Sequence, residues 1–253
     1  MQFKSLKIDG GEVAYLGSLA NDKALLFIGR SNTQKHSAPL QKLINRLVLE
    51  NYVLLWPISR SQSIGDFLIN KSERITHLVD AICGPSESLV KAGLKKMIKA
   101  SILVCYPTKW DHFFMRSRSP KIPNKIKFYR QMLQSAGKNK AMSILSHSAG
   151  GRIASHLSDE PNLERIICFG YPFKHPNRQE EPERTDSLKR IDKPFLIIQG
   201  VQDEYGGTDV ISRYDLSPCI EFEFVTTDHN YENISDADWS RIINRIESFL
   251  EVR

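Results

Sequence analysis

The stretch from Leu145 to Arg152 constrains this chain more than any other, because small residues surround a serine between two structured segments. Residues 141–145 form an apolar run typical of a buried strand, and residues 149–157 fit a helix. A strand that turns at once into a helix brings two backbones close together, which requires small side chains. Such a turn is a nucleophile elbow, usually written G-x-S-x-G. Here the pattern is S-x-S-x-G, so Ser148 is the candidate nucleophile and Ser146 replaces the first glycine.

The composition fits a globular protein with one domain, or with one domain and a cap. The chain has 253 residues, of which 41% are hydrophobic and 25% charged, as is ordinary for a compact domain. No apolar run approaches the roughly 20 residues that span a bilayer. The N-terminus lacks the apolar segment of a signal peptide, which favours a cytoplasmic location. No metal-ligand spacing or phosphate-binding glycine loop occurs, so we expect no metal and no cofactor.

Apolar runs suited to buried strands alternate with segments of helical spacing along most of the chain. The runs lie at residues 24–29, 52–56, 141–145, 165–170, 195–200 and 220–225. Helical spacing is clearest at residues 39–50 and 236–252. This alternation predicts an α/β fold, with a mostly parallel central sheet and helices on both faces. Residues 3–16 predict an additional antiparallel hairpin.

About eighty residues separate the second apolar run from the elbow strand, far more than a strand–helix–strand connection needs. We therefore expect an inserted, mainly helical cap at residues 59–123 and a core formed by residues 1–58 and 124–253. Within the insert, residues 102–106 fit either a strand or a turn of buried helix. Residues 91–130 contain eleven Lys or Arg and one acidic residue. This charge suits an anionic substrate, a phospholipid surface or nucleic acid, and a solvated basic face explains it as well.

Two candidate partners for Ser148 follow later apolar runs. In a parallel sheet, ligand sites form at the carboxyl ends of the strands. Asp203 follows the fifth run and His229 follows the sixth. A histidine can remove the serine proton, and a carboxylate on its other nitrogen fixes the tautomer and stabilises the imidazolium. Glu204 is the alternative acid, whereas Asp228 is too close to His229 in sequence for the usual geometry.

The order Ser–Asp–His, with each residue after its own strand, resembles the α/β-hydrolase superfamily. Five stretches are similar to its dienelactone-hydrolase-like group, which includes the testis-expressed and the histone-acetyltransferase-complex subunit-3-like hydrolases. These stretches are residues 148–155, 170–176, 182–185, 194–206 and 228–229. Many members of the group lack an assigned substrate, so the resemblance implies the α/β-hydrolase fold more firmly than it implies a reaction.

The resemblance also implies an oxyanion hole formed by the backbone N–H groups of Ala149 and Arg30, although Arg30 could instead hold an anionic group of the substrate. The chain departs from the group in having Ile28 where the histidine of a His-Gly pair is usual. Its second departure is Ser146, which adds bulk beneath the elbow. We expect four residues to line the substrate pocket: Gly29, Ser31, His147 and Tyr171.

The sequence therefore predicts a serine hydrolase of the carboxylesterase or thioesterase kind, acting on a small ester or acyl substrate through Ser148, His229 and Asp203. The alternative is a weak or inactive α/β-hydrolase module that binds a partner through its basic cap. The altered oxyanion loop motivates this alternative, because losing one donor costs roughly 2.7–4 kcal/mol of transition-state stabilisation. Nucleic-acid binding by residues 91–130 and contact with a membrane surface are weaker alternatives.

Overall fold

An eight-stranded sheet forms the centre of the protein, which we describe from a computed structural model. The structure describes residues 3–8, 11–29, 38–58, 67–68, 71–72, 75, 79, 89–107, 122–136, 139–231 and 234–251. The strands are β1 (Lys4–Ile8), β2 (Gly11–Leu16), β3 (Lys23–Ile28), β4 (Tyr52–Ile58), β5 (Ala141–His147), β6 (Leu163–Phe169), β7 (Phe195–Gly200) and β8 (Ile220–Val225). The α-helices are α1 (Ala38–Leu49), α2 (Leu89–Val104), α3 (Ile122–Ala136), α4 (Ala149–Ser155), α5 (Val210–Arg213) and α6 (Asp236–Phe249).

The sheet is mostly parallel, as the sequence predicts. Its strand order is β1-β2-β4-β3-β5-β6-β7-β8. Strands β1 and β2 pair antiparallel, in agreement with the predicted hairpin. The strands from β4 to β8 form parallel pairs along the order β4-β3-β5-β6-β7-β8. The loops that follow β3, β5, β6, β7 and β8 therefore all begin at one edge of the sheet, where ligand sites form in open α/β folds.

Helices cover both faces of the sheet. Successive side chains of a strand point to opposite faces, and both faces carry buried apolar side chains that pack against helices. On β3, Leu26 belongs to one hydrophobic cluster and Leu25 to the other. The first cluster contains Leu133 of α3 and Ile153 of α4. Helices α1 and α6 contribute to the second cluster through Leu43, Ile44, Leu47, Ile242, Ile246 and Phe249. Each fully buried side chain of this kind stabilises the fold by about 1.5–3 kcal/mol.

The chain divides into two compact units. The larger unit consists of Met1–Pro57 and Ile122–Arg253, and it holds the sheet. The smaller unit consists of Ile58–Lys121. In its described part, helix α2 is the longest element, and Leu68 and Leu103 form a small buried cluster.

Residues 102–106, for which the sequence left a strand and a helix open, belong to α2 as far as Val104. Residues 72–83 have the spacing of an amphipathic helix in the sequence, but only residues 72, 75 and 79 of this range are among those described. None of the helices in the described ranges combines the length and the apolar character that crossing a membrane requires.

Candidate active site

The turn between β5 and α4 holds Ser148 in a strained backbone conformation. Its φ and ψ angles are 52° and −122°, a region that residues with a β-carbon rarely occupy. The Ser148 N–H donates to the carbonyl oxygen of Phe169 on β6 at 2.9 Å, and the Ser148 carbonyl accepts from the Gly151 N–H at 2.8 Å. These two bonds fix the strained serine between the sheet and the first turn of α4.

Two glycines explain how the helix can start so close to the sheet. A β-carbon on Gly150 would lie 2.2 Å from the carbonyl oxygen of Ile28, at the end of β3. One on Gly151 would lie 2.3 Å from the Cys168 Sγ. Neither distance is compatible with a side chain, so packing at this turn requires both glycines. Ser146, in contrast, is accommodated, because its buried hydroxyl donates to the Ile167 carbonyl at 2.8 Å.

The structure brings Ser148, His229 and Asp203 into one hydrogen-bonded row. The His229 Nε2 lies 2.8 Å from the Ser148 Oγ. On the other side of the ring, Nδ1 lies 2.9 Å from Oδ2 and 3.0 Å from Oδ1 of Asp203. His229 is 7% exposed and Asp203 is 5% exposed. Because an ionised carboxylate only accepts hydrogen bonds, Nδ1 carries the ring proton and Nε2 is free to accept the serine proton.

The geometry favours Asp203 over Glu204, the alternative acid, and gives Asp228 a different set of partners. The Asp203 Oδ1 also accepts the Tyr205 N–H at 2.8 Å, and this bond holds the carboxylate towards the histidine. Glu204 is exposed. The Asp228 carboxylate instead accepts the N–H groups of Asn230 and Tyr231 at 3.0 Å each, and thereby shapes the loop that carries His229.

Gly170, directly after β6, leaves room for the Asp203–His229 pair. Its φ angle is 56°, in the left-handed region that favours glycine. A β-carbon at this position would lie 3.1 Å from the His229 Nδ1 and 3.2 Å from the Asp203 Oδ2. The side chain of any other residue would therefore press on the hydrogen bond between acid and histidine.

Aromatic rings enclose the histidine. The Tyr205 ring lies 4.4 Å from the His229 ring, measured between centroids, at an interplanar angle of 37°. His147 is the last residue of β5. Its Nε2 lies 3.3 Å from the His229 carbonyl oxygen, and its ring centroid lies 5.5 Å from that of His229. The sequence singled out His147 but not Tyr205, because nothing in the residue pattern shows which loop side chain folds back over the histidine.

The expected oxyanion hole and substrate pocket are described only in part. The Ala149 N–H is the first of α4, and such a group has no acceptor within its own helix. Gly29 lies against the elbow, since a β-carbon there would be 3.1 Å from the His147 carbonyl oxygen. The loop after β3 therefore starts beside the candidate nucleophile. Arg30 and Ser31, which this loop carries, lie outside the described residues.

Tyr171, which the sequence predicts to line the substrate pocket, lies in the core instead. Its side chain is 0% exposed and belongs to the core cluster under α4. Its hydroxyl donates to the Arg184 carbonyl at 2.6 Å, and its N–H donates to the Gln199 Oε1 at 2.9 Å. A side chain enclosed in this way packs the core and does not line a substrate pocket.

Cys168, the thiol near Ser148, is not an alternative nucleophile. Cys168 lies beneath the elbow, and burial raises the pKa of its thiol to about 12. Since only the thiolate is a strong nucleophile, this thiol is inert near neutral pH. Among the described residues, no group of three or more His, Cys, Asp or Glu side chains is arranged to hold a metal ion.

Comparison with known proteins gives a family for this geometry. The model of the family described as alpha/beta hydrolase domain matches residues 104–250, which is more than half of the chain. No curated protein matches the sequence.

Similar solved structures cover nearly the whole chain at low sequence identity. The esterase domain of a Rhodothermus marinus protein is 11% identical, with 98% of this chain and 97% of that chain covered and a TM-score of 0.56. The Pyrococcus furiosus esterase Pf2001 is 12% identical, with 99% and 92% covered and a TM-score of 0.55. A serine hydrolase involved in carbazole degradation is 11% identical, with 100% of both chains covered and a TM-score of 0.54. At these identities the likeness concerns the fold.

Proposed function

Because this chain belongs to the alpha/beta hydrolase domain family, we propose that it is a serine hydrolase that cleaves carboxylic esters or thioesters. The observation that carries the proposal is the 2.8 Å contact between the His229 Nε2 and the Ser148 Oγ, with Asp203 on the opposite ring nitrogen. Nucleophile, base and orienting acid in this relation are the minimum that acyl transfer through a serine requires.

In the proposed reaction, the Ser148 Oγ attacks the carbonyl carbon of the substrate while its proton moves to the His229 Nε2. Asp203 accepts the Nδ1 proton in a hydrogen bond and stabilises the imidazolium that forms. His229 then gives the proton to the departing alcohol or thiol, which leaves an acyl ester on Ser148. A water molecule gives a proton to His229 as it attacks that ester. His229 then returns this proton to the Ser148 Oγ when the bond between serine and acyl group breaks, which releases the carboxylic acid and the free serine.

The negative oxygen of the tetrahedral intermediate needs donors that are in place before the reaction. We propose the Ala149 N–H as one, because it begins a helix whose dipole also favours negative charge there. We propose the Arg30 N–H as the second, because the loop that holds it leaves β3 next to the elbow. Each such donor contributes roughly 2.7–4 kcal/mol to transition-state stabilisation.

Two of the similar structures are named as esterases, and this supports an ester substrate without establishing one. Membership of the dienelactone-hydrolase-like group and an inserted cap at residues 59–123 remain predictions of the sequence.

The alternative of an inactive module that binds through a basic region is less well supported. Arg130, at the end of the basic segment, hydrogen-bonds Asp159 at 3.0 Å and pairs with the buried Glu160. Lys91, at its start, is 4% exposed. At one end of the segment the positive side chain is thus paired, and at the other end it is buried. A strained serine in register with a base and an acid is a requirement of acyl transfer, whereas binding alone does not require it.

A panel of p-nitrophenyl and thioester substrates of increasing acyl length tests the proposal. We expect turnover by the wild type and its loss in Ser148→Ala. Ser212→Ala is the matched control, because the Ser212 hydroxyl only donates to the Asp209 carbonyl on an exposed helix. Turnover that survives in Ser148→Ala, or no turnover of any acyl length, contradicts the proposal.

A further inference from the structure

Gln199, near the end of β7, makes a set of hydrogen bonds that the proposed reaction does not yet explain. Its side chain is fully buried. Its Nε2 lies 2.9 Å from the Asp203 Oδ2 and 2.6 Å from the Gly206 carbonyl oxygen. Its Oε1 accepts the Tyr171 N–H at 2.9 Å. A neutral amide in the centre of a sheet is costly to bury unless its groups are paired, and here both N–H bonds and the oxygen are used.

The orientation of this amide follows from its partners. The Tyr171 N–H can only donate, so it must face the amide oxygen. The Gly206 carbonyl can only accept, so it must face the amide nitrogen. With both ends fixed, the second N–H of Nε2 points at the Asp203 carboxylate. The amide therefore cannot rotate to present its oxygen to Asp203 without breaking bonds on both sides.

The carboxylate of Asp203 is thus held by donors from two directions besides the histidine. Gln199 donates to Oδ2, and the Tyr205 N–H donates to Oδ1. Asp203 lies in the loop after β7, and one bond from β7 together with one bond from the loop leaves its side chain one orientation. That orientation places both oxygens within 3.0 Å of the His229 Nδ1.

We infer that Gln199 is a positioning residue of the proposed serine hydrolase, which orients Asp203 and through it the imidazole of His229. The inference rests on the proposed function for its catalytic meaning. The hydrogen bonds of Gln199 reach Asp203 but neither Ser148 nor His229, so its effect on the reaction passes through the acid. The same amide also joins the Gly206 segment after β7 to the Tyr171 segment after β6, so it holds the two loops that flank the acid.

Three substitutions separate the parts of this role. Gln199→Met keeps the length and apolar volume and removes both donors. Gln199→Asn keeps the amide but shortens the side chain by one methylene, so that it no longer spans from Tyr171 to Asp203. Gln199→Glu keeps the shape and places a carboxylate oxygen against Asp203, where like charges repel. Ser217→Ala is the control, because it removes a buried bond to the Ile191 carbonyl before β8, at the opposite end of the sheet.

The experiment measures three quantities on each variant: the rate at which a fluorophosphonate labels the serine, the proton resonance of the His229 Nδ1–H, and the melting temperature. We expect Gln199→Met to label about 10²-fold more slowly, the size of effect that a misplacement of about 1 Å produces. Its downfield Nδ1–H resonance should shift or disappear, and Gln199→Glu should be slower still. In steady-state assays kcat should fall while KM stays unchanged. The Ser217→Ala control should have a lower melting temperature, with an unchanged labelling rate and an unchanged Nδ1–H resonance.

Labelling and an Nδ1–H resonance in Gln199→Met that match the wild type overturn the inference. If Gln199→Met does not fold, Gln199→Asn is measured by the same criteria. If the wild type itself is not labelled, the proposed function fails. The Nδ1–H resonance of wild type and variants then still shows whether Gln199 orients the acid and histidine.

Discussion

The Ser146 hydroxyl donates a hydrogen bond of 2.8 Å to the Ile167 carbonyl oxygen, on the strand next to the elbow strand. This bond explains why a serine can replace the usual first glycine of the elbow, since the added group is buried but paired. The strained residue itself, Ser148, is bonded to Phe169 and Gly151 instead. The replacement therefore leaves the conformation of the nucleophile intact.

Ser146→Ala should lower stability and leave the site unchanged. The expected loss is about 0.5–1.5 kcal/mol, the net value of one intramolecular hydrogen bond. Denaturant unfolding measures the first effect, and the fluorophosphonate labelling rate measures the second. If the labelling rate of the folded Ser146→Ala variant also falls clearly below that of the wild type, Ser146 supports the candidate nucleophile directly.

Asp203→Asn should abolish most activity without unfolding the protein. An amide at this position can donate to Nδ1 and so stabilise the wrong histidine tautomer, which in a serine triad costs about 10⁴-fold in kcat. Glu204→Gln is the matched control, because Glu204 is adjacent in sequence and exposed. If Glu204→Gln causes the larger loss in an ester-hydrolysis assay, the acid has been assigned to the wrong residue.

Gly170→Ala should reduce activity more than stability. The added methyl would lie 3.1 Å from the His229 Nδ1, in a backbone region that costs an alanine about 1–2 kcal/mol. We expect a folded protein with a displaced imidazole, which kcat and the melting temperature together can show. Gly93→Ala in α2 is the control: nothing lies within 4 Å of its β-carbon, and helix propensity predicts a gain of up to about 1 kcal/mol.

The two thiols Cys105 and Cys168 should differ widely in alkylation by iodoacetamide. Cys105 is exposed, whereas burial raises the pKa of Cys168 to about 12. Alkylation needs the thiolate, which at pH 8 is only about one part in ten thousand of a thiol with that pKa. Mass spectrometry of the native protein should find Cys105 modified and Cys168 intact, with both modified after unfolding. Rapid native modification of Cys168 would show that the elbow region opens.

The central features of the fold and the site could be predicted because they depend on local patterns. Apolar runs locate the buried strands, and small residues locate the turn at Ser148. Asp203 and His229 could be predicted to lie near Ser148 because parallel strands end at one edge, which makes the residues after each strand neighbours. Residues 102–106 could not be assigned, since five apolar residues suit either a strand or a helix.

The surroundings of the acid and the histidine could not be predicted from the sequence pattern. The sequence predicts Tyr171 in the substrate pocket, but the backbone turn at Gly170 directs its side chain into the core. Gln199 lies within an apolar run and looks like an ordinary strand residue, because the partners that give it a role are distant in sequence. Tyr205 is equally inconspicuous, since its contact with His229 depends on how the loop after β7 folds.

Mass-spectrometric location of a fluorophosphonate adduct tests the central claim most directly. The account predicts one adduct per chain, on the peptide that carries Ser148, with no labelling of the Ser148→Ala variant and normal labelling of Ser212→Ala. An unlabelled but folded wild-type protein, or an adduct on any other residue, would contradict it.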